Sequence, residues 1–269
     1  MESNTKKTKT YKVIGDIHGR TNWYDLVKDI DEDTIVIFVG DYTDPYTKEG
    51  IYFEQMLQQL MEIVTFKKEH PNNVVLLYGN HDFQYVVGYK NTNRYDKWHA
   101  AQLYRFFQEN EEWFDGVAYQ IDDKYLITHA GVVRPWYENY FGPYDPTTPL
   151  ATVVKKINGL WDLDKFAFDM NPSPIWVRPY PLLENNLFGT EKCDRMQVVG
   201  HTALDMGKVA TIGLLPHPDP ESEFKWRSVI NNPDSTSKVV MVDCLAYSTD
   251  CFTVKVETSQ DDAEDTNLS

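Results

Sequence analysis

The chain has 269 residues, 42% apolar and 25% charged, with 26 basic against 41 acidic residues and a net charge of −15. That is the make-up of a globular protein with enough apolar material for a sizeable core. It disfavours binding along a nucleic-acid backbone, and no apolar run is long enough to span a bilayer.

Residues 1–10 are polar, include three lysines and contain no apolar leader, so the expectation is a disordered tail on a cytoplasmic protein without membrane contact. The apolar run that follows gives a first buried strand over about Tyr11–Gly15, which delivers Asp16-Ile17-His18-Gly19-Arg20. Trp23, Leu26, Val27 and Ile30 then fall at helical spacing. Thr34–Gly40 is a second buried strand running into Asp41-Tyr42-Thr43-Asp44-Pro45. A long helix carries Phe53, Met56, Leu57, Leu60 and Val64 on one face and lysines at its end. Asn73–Tyr78 is a third strand, delivering Gly79-Asn80-His81-Asp82, and residues 91–115 read as aromatic and mostly helical.

Residues 117–121 and 124–128 read as a hairpin about Asp122-Asp123, leading to His129-Ala130-Gly131. Residues 132–150, rich in Pro, Tyr and Gly, are expected to form an ordered loop over the site. Within it Trp136, Tyr137, Tyr140 and Phe141 are read first as a self-packed lid and second as a platform for a base. A helix near 150–168 precedes Ile175-Trp176-Val177-Arg178-Pro179. Met196–Gly200 carries His201-Thr202, residues 216–237 read as a long loop with four prolines, and Val239–Val242 and Phe252–Val256 are closing strands. The acidic residues 258–269 form a solvated tail, which leaves one domain over 11–257 with parallel βαβ units first and antiparallel strands later. Cys193, Cys244 and Cys251 lack metal-knuckle spacing and are expected to be reduced, buried thiols.

The chemistry collects where strands stop, the place where open α/β sheets put their ligands. Asp16 and His18, Asp41 with Asp44, Asn80 with His81, His129 and His201 each follow an apolar run, most after a Gly. Four of the seven histidines are in this set, and His70, His99 and His217 read as surface residues. Asp and Asn are ordinary turn residues, but His recurring at strand ends is not. Two Asp, one Asn and three His, with His81 left over, suit a pair of divalent ions that clamp a phosphate.

The motifs GDIHG, GDYTD, GNHD, HAG and GHT resemble those of the calcineurin-like metallophosphoesterase superfamily, and more closely its serine/threonine phosphoprotein phosphatase branch, from Tyr11 to about Thr202. The resemblance implies an α/β layered sandwich of two mixed β-sheets flanked by helices. It implies that Asp16, His18 and Asp41 hold one metal, that Asn80, His129 and His201 hold the other, and that Asp41 bridges. It further implies His81 as general acid, Asp44 as the carboxylate that orients it and Arg178 as a phosphate-gripping arginine. The activity implied is attack by a metal-bridged hydroxide on a phosphate monoester, most closely phosphoserine or phosphothreonine in proteins or a small phosphomonoester, with two ions of manganese, iron or zinc. A nucleotide or diadenosine-polyphosphate hydrolase is the first alternative and a non-catalytic phosphate-binding protein the second. Two departures stand out: Pro45 occupies the place of a second clamp arginine, for which Arg20 and Arg94 are the substitutes in view, and GNHD replaces GNHE.

Overall fold

The strand Thr34–Phe38 is buried at every position, with Ile35, Ile37 and Val39 facing one way and Val36 and Phe38 the other. A strand apolar on both faces must be covered on both, and the whole architecture follows from that demand. The computed structural model describes residues 7–189, 194–203, 208–219, 221 and 225–258. Its strands are β1 (Lys7–Ile14), β2 (Thr34–Phe38), β3 (Val74–Leu76), β4 (Ala118–Ile121), β5 (Tyr125–Thr128), β6 (Met196–Val199), β7 (Ala210–Pro216), β8 (Trp226–Ile230), β9 (Thr236–Met241) and β10 (Phe252–Thr258). Its helices are α1 (Trp23–Val27), α2 (Phe53–Glu69), α3 (Asn80–Val86), α4 (Ala100–Glu109), α5 (Arg134–Phe141), α6 (Leu150–Leu163) and α7 (Pro179–Glu184).

One sheet has the order β10-β1-β2-β3 and the other β4-β5-β6-β9-β7-β8. Both are mixed: β1, β2 and β3 are parallel with β10 antiparallel at the edge, and β5, β6 and β9 are parallel between antiparallel flanks. Between the sheets lies an aliphatic layer of Val13, Ile35, Ile37, Val39, Val75 and Leu77 against Ile121, Ile127, Val198, Val240 and Val242. Full burial of each such side chain stabilises by about 1.5–3 kcal/mol. The opposite faces pack on the helices, with Ile14, Val36, Phe38 and Leu76 meeting Met56, Leu60, Ile63 and Val64 of α2. This is the α/β layered sandwich of two mixed sheets flanked by helices.

Several expected boundaries move. β1 begins at Lys7, not Tyr11, because β10 pairs with it from Lys7↔Thr258 to Val13↔Phe252. The helix expected across 91–115 is confined to α4 and a 3₁₀ turn at Glu111–Trp113, and residues 91–99 form a loop whose Asn91–Arg94 enter the site. Residues 132–150 hold α5, whose Trp136, Tyr137, Tyr140 and Phe141 pack on one another as expected, but Trp136 and Tyr137 are buried in the helix-covered core and the stretch does not line the cleft. The stretch 216–237 is not all loop, since β8 pairs antiparallel with β7 inside it. The later half is also less antiparallel than expected, because β5, β6 and β9 run parallel. Cys244 is buried and Cys251 half-buried, both as free thiols, while Cys193 lies outside the described residues. Among the described residues no helix is long and apolar enough to cross a membrane.

Candidate metal centre

The parallel strands do the positioning. β1, β2 and β3 end just before Asp16, Asp41 and Asn80, and β5 and β6 end before His129 and His201, so five carboxyl-terminal strand ends converge on one edge. Two groups of donors form there, Asp16–His18–Asp41 and Asp41–His129–His201, and within each group one donor atom per residue lies within 4.8 Å of the others. Asp41 belongs to both. Its Oδ2 is 3.5 Å from Nε2 of His18 and its Oδ1 is 3.5 Å from Nε2 of His129, so the two oxygens of one carboxylate face two different imidazoles. Asn80 Oδ1 sits 3.0 Å from His129 Nε2 and 2.8 Å from His201 Nδ1, inside the second group.

The tautomers are set from behind. His18 Nδ1–H donates to the carbonyl of Thr43 at 2.6 Å, and His129 Nδ1–H donates to the carbonyl of Val39 at 2.9 Å. Each bond leaves the Nε2 lone pair aimed at the carboxylates, the usual outer-shell arrangement of a metal-bound histidine. Burial keeps these rings neutral: it lowers the His18 and His201 pKa values well below the ordinary one and lowers that of His129. Burial also pushes Asp16 up to about 6 and Asp41 up to about 8. A divalent cation reverses that direction by stabilising the carboxylate form. Neutral imidazoles, an amide oxygen and a carboxylate shared between two donor groups are a set that fits two such ions.

Four of these site residues have a left-handed backbone despite bearing side chains: His18 (φ 46°), Asp41 (φ 53°), Asp44 (φ 55°) and His201 (φ 63°). Such strain persists only where the surroundings over-determine it, and here the motifs hold one another. His18 N–H donates to the Asp41 carbonyl at 2.7 Å, His81 N–H to Asp41 Oδ1 at 2.8 Å and His201 N–H to Asp16 Oδ1 at 2.9 Å. Asp82, which is wholly buried, accepts from the backbone N–H of Gly79, Asp41, Tyr42 and Thr43 and from the Thr43 hydroxyl. It thereby clamps the Asp41 turn to the start of α3. Two motif glycines leave room for a neighbour's carboxylate. A Cβ on Gly79 would lie 2.2 Å from Asp41 Oδ1, and one on Gly200 would lie 2.3 Å from Asp16 Oδ1.

His81 stands at the edge of this floor. Its Nδ1–H donates to Asp44 Oδ2 at 2.8 Å, and Asp44 also accepts from Gln84 Nε2 and, at 2.5 Å, from the Tyr85 hydroxyl. The open cleft above, about 300 Å³, is lined by His81, Tyr46, Asn91, Thr92, Asn93, Arg94, Trp176 and Arg178 and, below them, by Asp16, His18, Asp41, Asn80 and His201. Arg178 follows Val177 at the start of α7 and donates to the Thr202 hydroxyl at 3.1 Å. Every residue singled out as a site candidate therefore lies in this one cleft or directly behind it. Of the two arginines weighed against the absence at Pro45, Arg20 is excluded: it makes a two-toothed pair with Glu49 at 2.9 and 3.0 Å and donates to the Asp16 carbonyl, so it holds the floor from below. Arg94 is in the cleft.

A model of the calcineurin-like phosphoesterase family matches residues 9–205. The chain belongs to that family. Calcineurin-like phosphoesterases are typically dependent on divalent metals, and the two donor groups lie inside the matched region. No curated protein matches the chain. Among solved structures it is similar to a protein serine/threonine phosphatase from Saccharomyces cerevisiae with similarity to human phosphatase PP5, at 20% identity and a TM-score of 0.45 over 75% of this chain. The match spans 63% of that phosphatase's length. It is also similar to a mutant cold-active protein tyrosine phosphatase (17% identity, TM-score 0.49, 93% of this chain and 76% of the other). A metallophosphoesterase from Sphaerobacter thermophilus follows (15%, 0.37, 89% and 77%).

Some of what builds this calcineurin-like centre is not in the motifs. Asp243 obeys the same strand-end rule, since it comes two residues after β9, and it is 6% exposed beside Asp16. Gln84 and Tyr85 carry no signal of their own until α3 places them behind His81, and Asp82, the last residue of GNHD, shows its clamp on the Asp41 turn only in the fold. Arg94 and Asn91–Asn93 reach the cleft only because a loop folds back onto α3.

Proposed function

We propose that this chain hydrolyses phosphate monoesters, with phosphoserine or phosphothreonine in proteins ahead of nucleotides as the substrate class. The observation that carries the proposal is the Asp41 carboxylate, split between the His18 and His129 imidazoles, with the Asp44-held His81 beside it. Two ions of manganese, iron or zinc, held by Asp16, His18 and Asp41 on one side and Asp41, Asn80, His129 and His201 on the other, would supply an activated water and neutralise phosphate charge. The residues supply the rest. Once Nε2 has taken up a proton from solvent or from a protonated phosphoryl oxygen, His81 presents that proton to the leaving oxygen as general acid, a role that contributes about 10²–10⁴-fold in rate. Asp44 fixes that ring through Nδ1 and is itself fixed by Gln84 and Tyr85. Arg178, at the exposed lip, grips the phosphoryl oxygens of the bound substrate through charge-assisted hydrogen bonds.

The test is turnover of a chromogenic monoester with added manganese, in the presence and absence of a chelator, alongside elemental analysis. The expected result is chelator-sensitive turnover with close to two ions per chain. Metal content well below one ion per chain after manganese loading, or turnover indifferent to chelator, overturns it.

A second reading, hydrolysis of a nucleotide or diadenosine polyphosphate, draws on Trp176, which lines the cleft next to His201 at a ring separation of 6.0 Å and offers a face for a base. The α5 aromatics do not serve it, because none of them lines the cleft. Side-by-side kinetics on a phosphothreonine peptide and a diadenosine polyphosphate decide between the two, and a tenfold advantage for the dinucleotide, about 1.4 kcal/mol in transition-state binding, makes the second reading the better one.

A further inference from the structure

Arg94 is held in a way that ordinary surface arginines are not. Its guanidinium lies 3.8 Å from the centre of the Tyr46 ring, a close cation–π stack. Its Nη1 donates to the Asp44 carbonyl at 2.6 Å. Its Nη2 is 2.8 Å from Nε2 of His81 and 3.3 Å from Nε2 of His18. The loop that bears it is anchored on both sides of Arg94, at Asn91 and Thr92 before it and, after it, at Asp96, whose N–H donates to the Tyr85 hydroxyl at 2.8 Å. Gln84, wholly buried, accepts from the N–H groups of Asn91 and Thr92 and from the Thr92 hydroxyl, and the Asn91 amide donates to Asp169 at 2.6 Å. Because Gln84 also donates to Asp44, one side chain ties the Arg94 loop to the residue that orients His81.

The contact with His81 has a direction. His81 Nδ1–H is committed to Asp44, so Nε2 is the acceptor and Arg94 the donor. The arginine is thus bonded to the very nitrogen that must face a leaving oxygen, and that nitrogen is a weaker partner for a guanidinium than a phosphoryl oxygen is, since charge-assisted bonds to anions are about twice as strong as neutral ones. Arg178 lines the same cleft.

Building on the monoesterase reading, we infer that Arg94 is a substrate-released latch: it caps His81 Nε2 until a terminal phosphoryl group draws it off, and so selects phosphate monoesters over diesters. A monoester dianion offers three non-bridging oxygens and two charges to the Arg94 and Arg178 forks. A diester offers two oxygens and one charge, and pulls less on the latch. Arg94 touches the substrate in this account and determines specificity; it donates and releases hydrogen bonds and transfers no proton.

The test compares manganese-loaded wild type with Arg94→Ala and Arg94→Lys on p-nitrophenyl phosphate and bis-p-nitrophenyl phosphate, with inorganic phosphate binding measured by calorimetry and metal content by elemental analysis. Arg94→Ala should weaken phosphate binding and raise the monoester KM by about tenfold or more, the size of one lost charge-assisted bond. The monoester-to-diester ratio of kcat/KM should fall at least as far, with metal content unchanged. Arg94→Lys, which keeps the charge without the fork, should recover part of the phosphate affinity. Unchanged phosphate binding, an unchanged substrate ratio, or loss of metal in both variants overturns the latch, the last by showing that Arg94 only props the floor. If wild type itself turns over neither ester while binding phosphate normally, the monoesterase reading fails on its own account.

Discussion

On the floor of the cleft Asp16, Asp41, Asn80 and His129 are at most 2% exposed, each follows a strand, and each is bonded to a different motif. On the rim Arg94 sits in a loop, Arg178 opens a six-residue helix, and Trp176 and Asn91 are only half-buried. The floor is over-determined, with strained backbone held by buried donors from several segments; the rim stands on a loop and a short helix, is only partly buried and faces water. Floor substitutions should therefore damage metal retention and folding, whereas rim substitutions should change what is bound and how tightly.

The sharpest division comes from Asp41→Asn. Its loss of turnover should exceed the roughly 10–100-fold that removal of an outer-shell metal partner costs, and metal content should fall with it; full metal occupancy by elemental analysis would refute its bridging place. Next is His81→Ala, expected to lose about 10²–10⁴-fold in kcat while keeping its metal, which would place the boundary between floor and rim at that ring. Metal loss in this variant would move His81 to the floor. Asp82→Ala touches neither metal nor substrate, yet it removes the acceptor of four donors in the Asp41 turn and of the Gly79 N–H. A destabilisation of about 3 kcal/mol in urea denaturation is expected, given roughly 1.5–3 kcal/mol for a hydrogen bond to a charged group. A change within 0.5 kcal/mol would mean that the interlacing does not bear on stability. Smallest is Arg178→Ala, with kcat/KM down by about tenfold, carried by KM, and an unchanged urea midpoint; an effect confined to kcat with KM unmoved would contradict a role in ground-state grip.

The same division separates what could be read from the chain from what could not. A metal-facing residue at a strand end announces itself, because an apolar run must stop somewhere and the residue after Gly15, Gly40 or Gly200 is the one that emerges. Asp243 obeys that rule too, but a lone acidic residue after Val239–Val242 has no histidine beside it to mark it. Arg94 had no local signature: its position depends on Gln84 reaching across to Asn91 and Thr92, a contact that periodicity does not encode. In the fold, the parallel strands β5, β6 and β9 each carry only a short apolar stretch (Leu126-Ile127, Val198-Val199 and Val239-Val240-Met241), too short to show parallel order, and the hairpin at Asp122-Asp123 suggests antiparallel order for everything after it. β8 hid among prolines because an edge strand tolerates them nearby, and its Trp-Arg-Ser-Val-Ile pattern is mostly exposed.

The clearance at Gly79 and Gly200 bears on transplanting this centre. Residue 79 must lack a side chain because of residue 41, and residue 200 because of residue 16, 38 and 184 positions away in the chain. No single loop is thus a self-contained cassette. A designer who moved GNHD alone into a new scaffold would carry over a gap with nothing to fill it, and one who moved GDYTD alone would bring a carboxylate that collides with whatever stands across from it. The smallest portable part is a pair of strand ends, each shaped as the mould of the other.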